Sequence, residues 1–258
     1  MIFLLKTMCE PRLVCFETSG AFGAIAFLSG KQVWEIKFSS GRSYSSHLFK
    51  LLPLVFQSTS NISQTQIREE NLFPIPFPIE RADYFVVDVG PGSFTGLRVG
   101  ISLVKALTLV YEKPVVALSS LEVLSYAYGC PDYPVLSLID AYTGEVFVGM
   151  YRWVDGNLVS LIKPCLLPLE RIEVIIKEKT LIVSETLDKW KDYLYGKLRD
   201  RVVFPSNLIE LSASLLGKLA QFKLSRGEAK ILSGDEVLPL YLKPSQAERA
   251  KGMQCLGF

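Results

Sequence analysis

Histidine is almost missing from this sequence, because His47 is the only one among 258 residues. A zinc or iron site that depends on two histidines is therefore excluded. The five cysteines include no Cys-x-x-Cys pair, and an odd number of cysteines is a poor disulfide framework. We therefore expect reduced thiols in a cytoplasmic protein that holds no structural metal.

A strong excess of either charge is also missing, since 28 basic and 26 acidic residues leave a net charge of +2. A dominant nucleic-acid surface is usually more basic, and the charge pattern does not indicate membrane binding. There is no uncharged apolar run of about 18 residues and no basic start typical of a signal peptide, so we expect neither a transmembrane helix nor a secretion signal. Apolar residues make up 49% of the chain, enough for one large domain or two lobes.

A pattern of strand, acid, glycine turn and strand occurs twice in the chain. In the first half Glu17 and Gly20 follow the first strand-like run, and in the second half Asp140 and Gly144 stand at equivalent places. Each copy contains three strand-like runs, followed by mixed helices and strands. The repeat predicts two related α/β lobes. The predicted strands of the first copy are Leu13–Phe16, Gly23–Leu28 and Gln32–Phe38.

Two such lobes are typical of the α/β fold of actin, Hsp70 and the sugar kinases (the ASKHA fold), a duplicated two-lobe fold with a nucleotide cleft between the lobes. We predict an N-terminal lobe over 1–116 and a C-terminal lobe over 117–258, and a return of the last segment to the first lobe stays open. The polar, proline-rich stretch 57–81 is interpreted as a surface connection, with a linker between separate domains as the alternative.

Apolar residues at helical or strand spacing predict the remaining elements. The predicted helices are His47–Phe56, Leu97–Tyr111, Leu121–Tyr128 and Leu208–Phe222, and two further strands are Tyr84–Val89 and Val115–Leu118. Before the last helix, Asn207 and Glu210 have the spacing of a capping pair.

Four glycines lie within the eleven residues GPGSFTGLRVG, between a predicted strand and a predicted helix. The stretch lacks the lysine of a P-loop, and its third glycine comes one residue too late for a dinucleotide-binding motif. In one interpretation, Gly96 and Gly100 share a helix face and permit close packing, which offsets the cost of glycine in a helix. In the other, the helix N-terminus also binds an anion, such as a nucleotide phosphate, as other helix N-termini do. The residues expected to contact that anion are Gly90, Gly92, Ser93, Thr95 and Arg98.

The stretch from Gly90 to Gly100 closely resembles the signature of the TsaB (YeaZ) family, whose members help to form threonylcarbamoyladenosine at position 37 of certain tRNAs. Other segments resemble the family in the same order along most of the chain. The family's opening acid is usually aspartate, whereas this chain has Glu17, and the stretch 57–81 is longer and richer in proline than the resemblance implies. The further segments are ETSG from Glu17, HLFKLLP from His47, LSSLEVL from Leu118, IDAYTGEVF from Ile139 and PLYLK from Pro239.

The resemblance implies a noncatalytic subunit. The catalytic relative, TsaD, holds a metal through a His-x-x-x-His pair, and the equivalent stretch here, Ala117 to Tyr128, contains no histidine. We therefore expect a scaffold that pairs with a TsaD-like protein and helps to recruit a TsaE-like ATPase. It would need no cofactor of its own, with ATP or ADP bound at the junction with its partners, and it would meet tRNA indirectly through the complex.

The resemblance also implies that pairing uses helices of the first lobe. An exposed apolar helix face would let the chain form a homodimer when it is alone. The residues expected at the interface are His47, Leu48, Leu51, Leu52, Gly96, Leu97, Gly100, Ile101 and Val104.

An ATP-dependent phosphotransferase of the same fold is the alternative function. In that enzyme Glu17 and Asp140 would together hold Mg²⁺ and nucleotide, as the equivalent acids do in sugar kinases. Turn-capping hydrogen bonds are the other explanation for both acids. Kinases surround the first acid with glycines, whereas FETSGAF has only Gly20. A nucleic-acid-binding module is disfavoured, because the chain has no cluster of basic and aromatic residues.

Overall fold

The computed structural model describes residues 10–39, 77–129 and 132–243. The predicted helix His47–Phe56 and most of the stretch 57–81 lie outside the described residues. Within the described residues the chain forms two mixed sheets with helices packed on their faces.

The strands are numbered in chain order. They are β1 (Leu13–Glu17), β2 (Phe22–Ser29), β3 (Gln32–Ser39), β4 (Tyr84–Asp88), β5 (Val115–Leu118), β6 (Val135–Asp140), β7 (Glu145–Val154), β8 (Asn157–Pro168), β9 (Thr180–Val183), β10 (Val202–Val203) and β11 (Ile231–Leu232). The helices are α1 (Phe94–Tyr111), α2 (Ser120–Tyr128), α3 (Ile172–Ile175), α4 (Lys191–Leu198) and α5 (Ala213–Ser225).

The first sheet has the strand order β11-β5-β4-β1-β2-β3. Strands β1, β2 and β3 form an antiparallel meander, in which Glu17 pairs with Ala24. Strand β4 runs parallel to β1, and β5 runs parallel to β4. The late strand β11 pairs with β5, so the chain returns to the first sheet after building the second.

Strand β1 is buried on both faces, which explains its continuous apolar run. Leu13 and Cys15 belong to a cluster that includes residues of α2 and α5. The alternate residues Val14 and Phe16 belong to a cluster on the other face, formed with α1. The sheet therefore lies between α1 on one side and α2 with α5 on the other.

The second sheet has the order β10-β9-β6-β7-β8, and its first three strands in the chain form the second antiparallel meander. Helices α3 and α4 cover one face, where Trp190 and Leu194 pack against Leu136 and Leu138. On the other face, Leu121 of α2 packs in a cluster with residues of the second sheet. Helix α2 thus contributes to the core of both sheets.

Two helix starts differ by three or more residues from the sequence-based expectation. The last long helix begins at Ala213 and not at Leu208, because Ser212 is its N-cap and accepts a hydrogen bond from the Leu215 N–H at 3.2 Å. The predicted capping pair, Asn207 and Glu210, is therefore wrong. Helix α1 begins at Phe94, three residues earlier than predicted.

Candidate functional site

Two carboxyl groups meet beside the glycine stretch. Glu17 ends β1 and Asp88 ends the neighbouring parallel strand β4, so both acids lie at the same edge of the first sheet. Both residues are completely buried. Sequence analysis identified Glu17 and missed Asp88. The acid at the end of the apolar run YFVVD was the signal that could have identified Asp88.

Two serine hydroxyls connect these carboxyl groups. Ser19 Oγ lies 2.8 Å from Glu17 Oε1 and 2.7 Å from Asp88 Oδ2, and Ser120 Oγ donates to Asp88 Oδ1 at 2.8 Å. Glu17 Oε1 also accepts from the backbone N–H groups of Ser19, at 2.6 Å, and Gly20, at 3.0 Å. Glu17 Oε2 is buried and has no hydrogen-bond partner within the described residues. We name Glu17, Ser19, Asp88 and Ser120 the acid–serine cluster.

Burial dominates the electrostatics of the cluster. Desolvation, reinforced by Asp88, raises the pKa of Glu17 to about 8, although hydrogen bonds from Ser19 act in the opposite direction. Desolvation also raises the pKa of Asp88 and of Glu185, whose carboxyl group lies near Gly20. In the part of the chain that the structure describes, no group of three or more His, Cys, Asp or Glu side chains is placed to hold a metal ion.

Backbone N–H groups of the loop between β4 and α1 donate hydrogen bonds to other groups of the same chain. The Gly90 N–H donates to Asp88 Oδ1 at 2.7 Å, and the Ser93 N–H donates to the carbonyl oxygen of Ser19 at 2.8 Å. A Cβ atom on Gly92 would lie 2.6 Å from that same carbonyl oxygen. The turn that carries Ser19 therefore fills the space next to Gly92 and accepts from one donor of the predicted anion site, the Ser93 N–H, while Asp88 accepts from another, the Gly90 N–H.

Arg98, the side chain expected to reach an anion, makes other contacts. Its guanidinium group lies 3.9 Å over the ring of Phe94, and its Nε donates to the Tyr241 hydroxyl at 3.0 Å. The rings of Phe94 and Tyr241 lie 5.3 Å apart. The segment PLYLK, noted above only for its resemblance, thus returns to the start of α1. Anion binding by Gly90, Gly92, Ser93, Thr95 and Arg98 stays a prediction.

Gly96 and Gly100 face the chain's own turn between β1 and β2. A Cβ atom on Gly96 would lie 1.8 Å from the carbonyl oxygen of Thr18, and one on Gly100 would lie 2.2 Å from Thr18 Oγ1. The spacing of the two glycines predicted close packing, but the packing neighbour is Thr18 of the same chain and not a partner helix. The same face of α1 also buries Leu97, Ile101 and Val104, so our assignment of these five residues to a partner interface is corrected. The other four expected interface residues, His47, Leu48, Leu51 and Leu52, lie outside the described residues.

The opposite face of α1 is open and largely apolar. Leu109 and Val110 have 85% and 70% of their surface exposed, and Ser102 and Ala106 on the preceding turns are exposed too. The helix has 18 residues with a mean hydropathy of 1.3, and 33% of these residues are buried. The length and composition of α1 alone would suit a membrane span. They are weak evidence for one, because core helices of soluble proteins have the same length and composition. We name Ser102, Ala106, Leu109 and Val110 the open face of α1.

The second predicted acid, Asp140, ends β6 in the second sheet. Its Oδ1 accepts from the Tyr142 N–H at 2.8 Å, and its carboxylate forms an ion pair with Lys189. Lys243 binds the same turn by donating to the Ala141 carbonyl at 2.6 Å. Turn capping and an ion pair therefore engage both oxygens of Asp140.

Two sheets that each begin with an antiparallel meander and carry an acid at the end of its first strand define the class of the protein, a two-lobed ASKHA fold. Residues 75–226 match the family model described as TsaD, tRNA N6-adenosine threonylcarbamoyltransferase. The chain belongs to this family.

Curated relatives carry the name tRNA threonylcarbamoyladenosine biosynthesis protein TsaB. The Bacillus subtilis protein is 38% identical over 77 residues, which are 30% of this chain and 34% of that protein, so the match spans about a third of that relative. The Buchnera aphidicola protein is 24% identical over 190 residues, 69% of this chain and 79% of the relative. The solved structure of YeaZ from Pseudomonas aeruginosa superposes with a TM-score of 0.66 at 22% identity, covering 90% of this chain and all of that one, and supports the fold.

Proposed function

We propose that this chain is a noncatalytic cytoplasmic subunit in the formation of N6-threonylcarbamoyladenosine on tRNA, which pairs with a TsaD-like protein and helps to recruit a TsaE-like ATPase. The observation that carries the pairing is the open face of α1, because large apolar residues seldom stay bare on a surface. The names of the curated relatives supply the pathway. The tRNA would be reached through the complex.

The acid–serine cluster supports a noncatalytic role. The hydroxyls of Ser19 and Ser120 and three backbone N–H groups are directed at Glu17 and Asp88. The turn of Ser19 also lies against Gly92, where a phosphate would have to approach the backbone. Apart from Glu17 Oε2, the carboxyl oxygens of this cluster are engaged by groups of the chain itself, so the cluster offers few groups to a substrate. On this proposal ATP or ADP binds at the junction with the partner subunits.

The open face of α1 supplies the interface that the buried glycine face cannot supply. Its exposed residues recur three or four positions apart and so share one side of the helix. Small Ser102 and Ala106 let a partner helix approach, while Leu109 and Val110 provide apolar area. In the absence of the partner, the same face would pair two copies of this chain.

Size-exclusion chromatography of the chain with the TsaD-like protein of the same organism tests the pairing. We expect the two proteins to elute together as a complex larger than either alone. Separate elution of the two proteins, even when both are loaded at high concentration, would contradict the proposed partner.

An ATP-dependent phosphotransferase stays the second candidate, because carboxyl groups end the first strand of both meanders, Glu17 in β1 and Asp140 in β6. Calorimetry with ATP and Mg²⁺ separates the two functions. Tight binding to the isolated chain, with turnover, would favour the phosphotransferase. We expect no heat of binding, since the ion pair with Lys189 and the buried position of Glu17 leave neither carboxyl free.

A further inference from the structure

We propose that a surface where the two lobes meet binds single-stranded RNA by stacking unpaired bases on exposed aromatic rings. Four stretches that are far apart in the sequence build this surface, which is why sequence spacing does not reveal it. They are the start of α1, the turn after β6, the residues before α4 and the segment after β11. We name Phe94, Arg98, Tyr142, Lys189, Tyr241 and Lys243 the aromatic–cation surface. The inference rests on the proposed function only for the identity of the RNA, a tRNA.

Arg98 is held in place by two aromatic side chains. Its guanidinium group lies 3.9 Å from the centre of the Phe94 ring, and its Nε donates to the Tyr241 hydroxyl at 3.0 Å. Its two outer nitrogens have no other partner in the part of the chain that the structure describes. A guanidinium group fixed in this way can donate to a phosphate group and loses little side-chain freedom on binding. Phe94 and Tyr241 are themselves 42% and 44% exposed.

The turn after β6 presents a third exposed ring, that of Tyr142. Tyr142 and Thr143 have φ angles of 60° and 57°, a left-handed conformation that costs free energy in residues other than glycine. The turn is fixed in this conformation, because Asp140 accepts from the Tyr142 N–H and Lys243 donates to the Ala141 carbonyl oxygen. Tyr142 is left 73% exposed. A strained and well-held turn that presents an exposed ring indicates a binding role.

Lys243 connects the turn of Tyr142 to the rings at the start of α1. It follows Tyr241 by two residues, so their Cα atoms are no more than about 7 Å apart. The rings of Tyr241 and Phe94 lie 5.3 Å apart, and Lys189 lies 5.9 Å from the centre of the Tyr142 ring. The three rings therefore belong to one surface, which a short flexible strand can span.

The charges indicate that stacking contributes more to binding than electrostatic attraction. Lys189 pairs with Asp140 and Lys243 pairs with Glu145, so Arg98 is the one cation of this surface without an ion pair among the described residues. Each phosphate that a cation neutralises makes binding weaker as salt is added. With one free cation, the logarithm of the binding constant should fall against the logarithm of the salt concentration with a slope of about −0.7.

The composition of the surface favours RNA over a protein as its occupant. Its exposed apolar side chains are all aromatic rings, and a ring can stack on any unpaired base. The exposed aliphatic residues Leu109 and Val110, which a protein partner would bury, lie near the other end of α1. Leu109 is about 22 Å from Phe94 along the helix axis. The chain can therefore bind a partner protein and RNA at the same time.

Fluorescence anisotropy of a labelled RNA hairpin with an unpaired loop, titrated with the full chain, tests the proposal. A fully paired RNA duplex is the control ligand, and the hairpin should bind at least about tenfold more tightly, because only unpaired bases can stack. Tyr241→Ala and Tyr142→Gly should each weaken hairpin binding about tenfold, the typical loss of one stacked base. Tyr195→Ala removes another exposed tyrosine, in α4, and should bind like the wild type.

Tyr142→Gly separates loss of the ring from loss of the fold. Glycine adopts a positive φ without strain, so this variant should unfold at the wild-type temperature or above it. Arg98→Gln tests the contribution of the free cation. It should reduce the salt dependence of hairpin binding to nearly zero, since no unpaired cation then remains on the surface.

Equal binding of hairpin and duplex, or wild-type affinity in both tyrosine variants, would overturn the proposal. Weaker co-elution of Tyr142→Gly with the TsaD-like protein, at unchanged affinity for the hairpin, would overturn it too, because the surface would then be a protein interface. The titrations use this chain alone, so their outcome does not depend on the complex. A modification reaction that does not need the chain would instead contradict the proposed function and leave the titrations unchanged.

Discussion

The hydroxyl of Thr18 occupies the space that a side chain at position 100 would need. A Cβ atom built on Gly100 would lie 2.2 Å from Thr18 Oγ1 and 3.3 Å from Thr18 Cβ. At Gly96 the obstacle is different, because a Cβ atom would lie 1.8 Å from the Thr18 carbonyl oxygen, which belongs to the backbone. The two glycines therefore tolerate substitution differently, although they lie one helical turn apart on the same face.

Gly100→Ala should destabilise the chain by about 1–3 kcal/mol through overpacking, and Thr18→Ala should restore much of that loss in the double variant. The substitution removes Oγ1 and Cγ2 of Thr18 and leaves Cβ, at a distance that small adjustments can accommodate. A double-mutant cycle measured by urea unfolding gives the coupling between the two positions.

Gly96→Ala is the contrasting case, because no change of the Thr18 side chain removes its carbonyl oxygen. We expect Thr18→Ala to leave the Gly96→Ala defect as it was. Ala106→Leu, on the open face of α1, serves as the control for helix substitution and should change stability by no more than about 0.5 kcal/mol. Equal rescue at both glycines would mean that the packing described here is incorrect.

Val110→Glu should weaken pairing with the TsaD-like protein without unfolding the chain. Val110 is 70% exposed, so a carboxylate there costs little until a partner covers it. Pairing should weaken by at least about tenfold, measured by titration calorimetry or by co-elution at falling concentration. Val174→Glu, at an exposed apolar position in α3, is the matched control and should pair normally. Equal effects of the two variants would argue for a different interface.

Ser212→Ala should cost about 1 kcal/mol of stability, because the Ser212 hydroxyl caps α5 by accepting from the Leu215 N–H. Asn207→Ala, at the position that sequence spacing favoured, should be nearly neutral. The Asn207 backbone carbonyl accepts a bond from Tyr128, and this bond does not need the side chain. Thermal unfolding of the two variants side by side distinguishes the two capping positions.

Much of the first sheet was predictable because its signals are local. The apolar run of β1, the turns between β2 and β3, and the strand before the glycine stretch are each encoded by neighbouring residues. The start of α5 was missed because helical spacing extends back to Leu208, while the N–H of Leu211 is bound by the distant Glu185 at 2.7 Å. The local cap at Ser212 and this contact with a residue far away in the chain together set that boundary.

The site was predictable only in part, because some of its signals are local and others join residues far apart in the chain. The spacing of Gly96 and Gly100 indicates close packing, but the neighbour, Thr18, is in another element, so sequence spacing could not identify it. Asp88 and Ser120 join Glu17 only because β4 and β5 lie parallel to β1 in the sheet order. Pairing between strands that are not consecutive in the sequence thus assembles the acid–serine cluster.

The most direct test of the proposed role is the amount of threonylcarbamoyladenosine formed on tRNA in a reaction reconstituted from the same organism's components. We expect this chain alone to form none, the reaction without it to be strongly reduced, and addition of the wild-type chain to restore it. Val110→Glu should restore it less well than Val174→Glu, because only the former lies on the open face of α1. An equal yield with and without this chain would contradict the account.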